Sequence, residues 1–196
     1  MDGRRPSPRC NRVRPDGAIV ADPARGTLMG NRGGRLEGAR RWASKAWICC
    51  LLDFRGRRRD VDGPGYTALF FLDEATALAA GHRPCFECRR AEARAFAAAV
   101  AEGLGRPEPL RAPEMDALLH AERLARRADA DKAPLPDGAM VADGGGPLLL
   151  LGGRALRWGF TGYGAPEGPP LRARLLTPPT AVAALRAGFR PRLHPS

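Results

Sequence analysis

Apolar and polar positions alternate in short bursts along this chain, and glycine and proline separate the bursts. From Val13 onward, Pro15-Asp16-Gly17 is followed by the apolar Ala18 to Ala21 and then by Asp22-Pro23. That spacing predicts a short hairpin. Gly26, Gly30, Gly33 and Gly34 interleave with Arg25, Arg32 and Arg35, which predicts a glycine-rich basic loop. Trp47 to Phe54 is apolar and β-prone, so a buried strand is expected. Its two-residue period puts Cys50, Leu52 and Phe54 on one face, with Trp47, Cys49 and Leu51 on the other. The basic turn Arg55-Gly56-Arg57-Arg58-Arg59 follows, and Tyr66 to Leu72 reads as a second strand antiparallel to the first across it.

The period then lengthens. Asp73 is placed to cap a helix over 74–80 that ends at Gly81, and residues 89–103 carry a longer amphipathic helix. A linker over 103–113 leads to a helix over 114–128, with Met115, Leu118, Leu119 and Leu124 at apolar positions. Beyond a Pro-rich boundary at 133–138, short strands are predicted at 139–142, 147–151 and 155–160, joined at glycine turns. Trp158, Phe160 and Tyr163 fit the core of that small sheet better than a platform for stacked bases. Near the C-terminus, TAVAALRAGFRP echoes TALAAGHRP, but Arg192 stands where Cys85 stood, so only the turn chemistry repeats. The expected fold is α+β: a small zinc-bearing β-hairpin and helix module, a further helix, and a small antiparallel sheet. Its divisions are a disordered basic arm at 1–12, the module at 13–103, and a helix-plus-sheet region at 114–196.

Charge changes this picture in one respect. The net charge is +11, and residues 1–60 hold 15 basic against 6 acidic side chains, so +9 sits in the first third. Such an excess attracts polyanions, and it puts nucleic-acid contact on Arg25, Arg32, Arg35, Arg55, Arg57, Arg58 and Arg59. Only Lys45 and Lys132 are lysines, so arginine usage can also reflect a GC-rich genome. No apolar run approaches the roughly 20 residues of a membrane span, and the first residues lack a secretory pattern. A cytoplasmic location is expected, where cysteines serve as metal ligands or catalysts more often than as disulfides.

The candidate chemistry lies in LDEATALAAGHRPCFECRR, residues 72–90. A Cys-x-x-Cys turn, here Cys85 and Cys88, can place two thiolates on one tetrahedral zinc, and the preceding strand supplies a third. Cys50 is favoured for that role because Cys49 shares a face with Trp47 and Leu51. Cys49 and His82 lead the candidates for a fourth ligand, with Cys10, His120, His194 or a water behind them. Separately, Asp116 and His120 stand four apart on a predicted helix, the spacing of a carboxylate orienting an imidazole base.

Phe71, Glu74, Ala75, Ala77, Leu78, Ala79, Gly81, Arg83, Pro84, Cys85 and Cys88 together resemble the Ada-type zinc-binding module of bacterial methylphosphotriester repair proteins. The likeness covers about 20 residues closely and residues 47–90 more loosely, in the sense of a short metal-site motif. It implies a zinc knuckle and contact with DNA. In the Ada pattern the first two cysteines have three residues between them, whereas Cys49 and Cys50 are adjacent. The full chain is also similar to a bacterial family that implies no function. A zinc protein that binds nucleic acid, DNA before RNA, is therefore the leading expectation. A metal-dependent enzyme acting on nucleic acid or nucleotides comes second. A methyl acceptor at Cys50, as in Ada repair, is the weaker alternative.

Overall fold

Thirteen strands and four helices follow one another in the computed structural model, which describes residues 10–36, 38, 40–58, 65–125 and 134–196. The strands are β1 (Cys10–Val13), β2 (Ile19–Ala21), β3 (Leu28–Asn31), β4 (Ile48–Leu51), β5 (Asp53–Phe54), β6 (Arg57–Arg58) and β7 (Leu69–Phe71). Helix α1 (Glu74–Ala79), strand β8 (Arg83–Pro84), and helices α2 (Arg90–Gly103) and α3 (Ala112–Leu124) come next. The chain ends with β9 (Met140–Asp143), β10 (Gly146–Leu151), β11 (Arg154–Gly159), β12 (Gly162–Glu167), β13 (Arg174–Leu175) and α4 (Pro179–Arg186). Six strands form a mixed sheet ordered β2-β1-β7-β3-β4-β8, and five form an antiparallel sheet ordered β12-β11-β10-β9-β13. The fold is α+β.

Three sequence expectations change in the first sheet. Residues 10–12 of the expected arm are strand, and residues 1–9 lie outside the described residues. Arg12 hides that strand from a hydrophobic reading: it is buried, donates to Asn11 Oδ1 at 2.7 Å and to the Ala24 carbonyl, and stacks on Phe70. The glycine-rich loop likewise contains a central strand, β3, paired with both β4 and β7. Gly30 serves close approach there, since a Cβ would meet the Ile48 carbonyl oxygen at 2.1 Å. Because β3 inserts between them, β7 does not pair with β4 across the basic turn. That turn closes only the two-stranded β5–β6 ribbon, with Arg55 and Gly56 both at positive φ.

The remaining elements form where the pattern places them. Asp73 caps α1 by accepting from Thr76 N at 2.9 Å and Thr76 Oγ1 at 2.8 Å, and Gly81 takes φ +83° after it. Every residue of this six-residue helix is buried, so packing rather than length stabilises it. Helix α3 begins at Ala112 and ends at Leu124, and residues 126–128 of its expected end lie outside the described residues. The C-terminal hairpins fall close to the predicted strands, while β12 and β13 extend the sheet on either side. Among the described residues, no helix is long and apolar enough to cross a membrane.

The two halves share their cores. Phe96 and Val100 of α2 pack with Met115 of α3 and Ala181, Leu185 and Phe189 in and after α4. Ala75 and Ala79 of α1 pack with Met140, Leu149 and Trp158 of the second sheet. Each such large apolar side chain contributes roughly 1.5–3 kcal/mol when fully buried. Trp158, at 9% exposure, belongs to this core and donates Nε1–H to Thr76 Oγ1 at 3.0 Å. The Tyr163 hydroxyl donates to Asp73 Oδ2 at 2.8 Å, so the second sheet also grips the cap of α1.

Candidate metal centre

Cys50 reaches the site through strand pairing. On β4, Cys49 points to the cluster of Val13, Leu28, Leu69 and Phe71, while Cys50 points to Met29, Ala68 and Phe70 on the opposite face. The short β8 runs parallel to β4, with Arg83 N donating to the Trp47 carbonyl and Cys85 N to the Cys49 carbonyl, each at 3.0 Å. This pairing lays Cys85 beside Cys50. The turn over 86–89 then brings Cys88 back, and Arg89 N donates to the Cys85 carbonyl at 3.1 Å. The three sulfurs lie within 4.8 Å of one another, all buried, and can hold a metal ion.

The electrostatics of the trio are uneven. Hydrogen bonds from the Cys50 and Cys88 thiols, and a weaker one from the Glu87 amide at 3.4 Å, hold the Cys85 thiol far below its usual pKa. Cys50, buried and facing both neighbouring sulfurs, is pushed far up. Three thiols this close form a soft donor set, and a metal that binds them displaces their protons.

Among the described residues, the close group contains no fourth protein donor. Cys49 faces away, and burial raises its pKa while Arg89 Nη1 approaches its sulfur at 3.6 Å. His82 is fully buried against Trp47 and Phe71, and burial with the Arg32 and Arg123 charges holds its pKa well below the histidine norm. Cys10 is exposed and directs its thiol to the Ile19 carbonyl at 3.5 Å. His194 sits in the C-terminal tail beside Asp73, and His120 packs edge-on against Trp42.

Asp116 and His120 do not form a working pair. Both Asp116 oxygens accept from Arg83, at 2.8 Å each, in a buried bidentate bridge that fastens β8 to α3. Sequence spacing pointed to the neighbour one turn along, whereas the partner lies 33 residues away. A second buried pair, Arg89 with Glu74 at 2.8 Å, secures the start of α2 right after Cys88. These two bridges hold both ends of the cysteine turn, and Arg83, two residues before Cys85, with Arg89, directly after Cys88, is the sequence sign of them.

The arginines separate into two groups. Arg32 is inside the fold, at 2% exposure, stacked on Trp47. Arg25 and Arg55 are exposed beside the cysteine-bearing face, over Phe70 and Phe54 respectively, and Arg35 is exposed in the loop after β3. Arg57 and Arg58 form β6, and Arg59 lies outside the described residues. No protein-family model, curated protein or solved structure matches this chain, so its own geometry carries the functional reading.

Proposed function

We propose that Cys50, Cys85 and Cys88 hold a zinc ion and that the cysteine-bearing face of the first sheet binds nucleic acid, DNA before RNA. The observation that carries this reading is the meeting of three buried sulfurs from two distant segments. Zinc fits the donor set, because a tetrahedral ion with Zn–S near 2.3 Å separates its sulfurs by roughly 3.8 Å. Zinc is redox-inert and would lock β4, β8 and the start of α2 together. The likeness to the Ada-type knuckle belongs to the same proposal. Support for nucleic acid comes from the +11 charge and from the exposed Arg25, which stacks on Phe70 in the cluster that contains the cysteines.

Salt-titrated binding of a DNA duplex by the zinc-loaded protein tests the nucleic-acid part. Affinity should fall steeply as salt rises, and Arg25→Gln with Arg55→Gln should flatten the slope by about one to two phosphate contacts. Absent or salt-independent binding would remove that part and leave the metal site standing. A second reading rests on the three-sulfur set: an ion held by Cys50, Cys85 and Cys88 with a coordination position left open would supply Lewis-acid chemistry to a metal-dependent enzyme acting on nucleic acid or nucleotides. Turnover of a phosphodiester that disappears in Cys85→Ser and persists in His120→Ala distinguishes that reading from a structural zinc.

A further inference from the structure

On the side of β4 away from Cys50, positive charge gathers around Trp47 without an answering carboxylate. Arg32 Cζ lies 4.0 Å from the Trp47 ring and Arg123 Cζ lies 4.3 Å from it. Arg32 comes from the end of β3 and Arg123 from the last turn of α3, so two remote segments aim guanidinium groups at one indole. The exposed Arg41 and Lys45 stand in the adjoining loop, and their charges reach Arg32 and His120 respectively. Among the described residues, none of Arg32, Arg41, Lys45 and Arg123 has a carboxylate at ion-pair distance.

Two other buried arginines are answered by carboxylates, whereas among the described residues buried Arg12, like Arg32, meets only neutral oxygens, those of Asn11 and Ala24. Arg83 meets Asp116 and Arg89 meets Glu74, each at 2.8 Å. Among the described residues, Arg32 has only carbonyl oxygens, those of Gly17 at 2.8 Å and Arg41 at 3.3 Å, and its buried Nε has no partner. Arg123 likewise meets only carbonyls among the described residues, those of Gly81 and Lys45. Carbonyl dipoles orient guanidinium groups without neutralising them, and buried unneutralised charge is costly. Burial, with the Arg123 and Arg41 charges, lowers the pKa of Arg32 to about 9. Burial lowers that of Arg123 to about 10 against the opposing pull of the more distant Asp116 and Glu122, which leaves both arginines charged at neutral pH. His82, in contact with the Trp47 ring, is neutral and adds no charge.

The geometry points to an oxyanion site around Arg32, Arg123, Lys45 and Trp42 that takes a phosphate-class tetrahedral anion, free or within a phosphodiester. A tetrahedral anion suits the setting because it accepts from several donors arriving from different directions, whereas a single carboxylate is matched to one fork. Trp42, half-buried, lies 6.3 Å from Trp47 and 5.4 Å from His120, ring to ring, and supplies an apolar wall beside the cations. The site lies on the opposite side of β4 from the cysteine trio and does not depend on a metal there.

Calorimetric titration of the full chain with inorganic phosphate, against chloride at matched ionic strength, tests the assignment. Saturable binding is expected, weakened about ten-fold or more in Arg123→Gln, because charge-assisted hydrogen bonds are lost. Since Arg123 is partly buried, circular dichroism checks the fold of that variant, and the exposed double variant Arg41→Gln/Lys45→Gln gives an independent arm with a several-fold loss. Arg154→Gln, on the far sheet, should bind as the parent does. A short single-stranded oligonucleotide that displaces phosphate with the same variant sensitivity identifies a phosphodiester as the source, and failure to displace identifies the free anion. Absence of saturable binding, indifference to the Arg41/Lys45 change, or an equal loss in Arg154→Gln would overturn the site.

Discussion

The two sheets are built by opposite rules. In the five-stranded sheet, β9 to β12 pair with their sequence neighbours through tight glycine turns. In the six-stranded sheet, Arg12 pairs with Phe70 and Ile48 with Arg83, so its partners come from distant parts of the chain in both parallel and antiparallel senses. The candidate metal site lies only in the second kind of sheet. Cys50 and Cys85 become neighbours because β8 adds to the edge of β4, and buried ion pairs then hold the cysteine turn. Non-local pairing thus creates the chemistry, while the locally paired sheet braces it through Trp158 and Tyr163.

That contrast can be broken at its most expensive point first. Asp116→Asn leaves Arg83 buried without its carboxylate and should cost about 3–5 kcal/mol in chemical denaturation. A loss below about 1 kcal/mol, the level of an exposed pair, would mean that the bridge does not hold β8. Next, the same glycine-to-alanine change should act differently in the two sheets. Gly30→Ala drives a Cβ into the Ile48 carbonyl and should cost roughly 1–3 kcal/mol, whereas Gly144→Ala meets nothing within 4 Å and should stay within about 0.5 kcal/mol. Equal effects would erase the distinction between close-packed and open glycines.

The brace between the sheets is tested by Trp158→Phe, which removes the hydrogen bond to Thr76 Oγ1 and should cost about 1–2 kcal/mol. The smallest effect belongs to the second sheet alone. A hydrogen bond from Arg157 is the main cause that holds the Asp143 carboxyl at about 2, below its ordinary 3.8. Because the folded value is depressed, its contribution is complete above the ordinary value and disappears as pH falls through the folded one. Stability measured between those two values should therefore fall less steeply in Asp143→Asn than in the parent. The difference is small because solvent still screens this half-buried pair.

What could be read from the sequence follows the same division. Gly144–Gly146 and Gly152-Gly153 between apolar runs announce the C-terminal hairpins, and Asp73 with Gly81 frames α1, because each signal is local. The two-residue period was also enough to separate Cys49 from Cys50, which face different clusters. Strand β3 was illegible because Gly30 and Arg32 imitate a loop, although Gly30 is required by strand contact and Arg32 is buried on Trp47. Asp116 misled for a similar reason: helical spacing names the neighbour on the same face but not a guanidinium arriving from another element. Pairing between β7 and β3 rather than β4 is likewise a property of the assembled sheet.

The central claim is that the non-local sheet builds a zinc site, and metal content tests it most directly. Elemental analysis of the purified protein, of Cys85→Ser and of Cys49→Ser should find one zinc per chain in the parent and in Cys49→Ser, and none in Cys85→Ser. A parent protein without zinc, or zinc retained after loss of Cys85, would contradict the account.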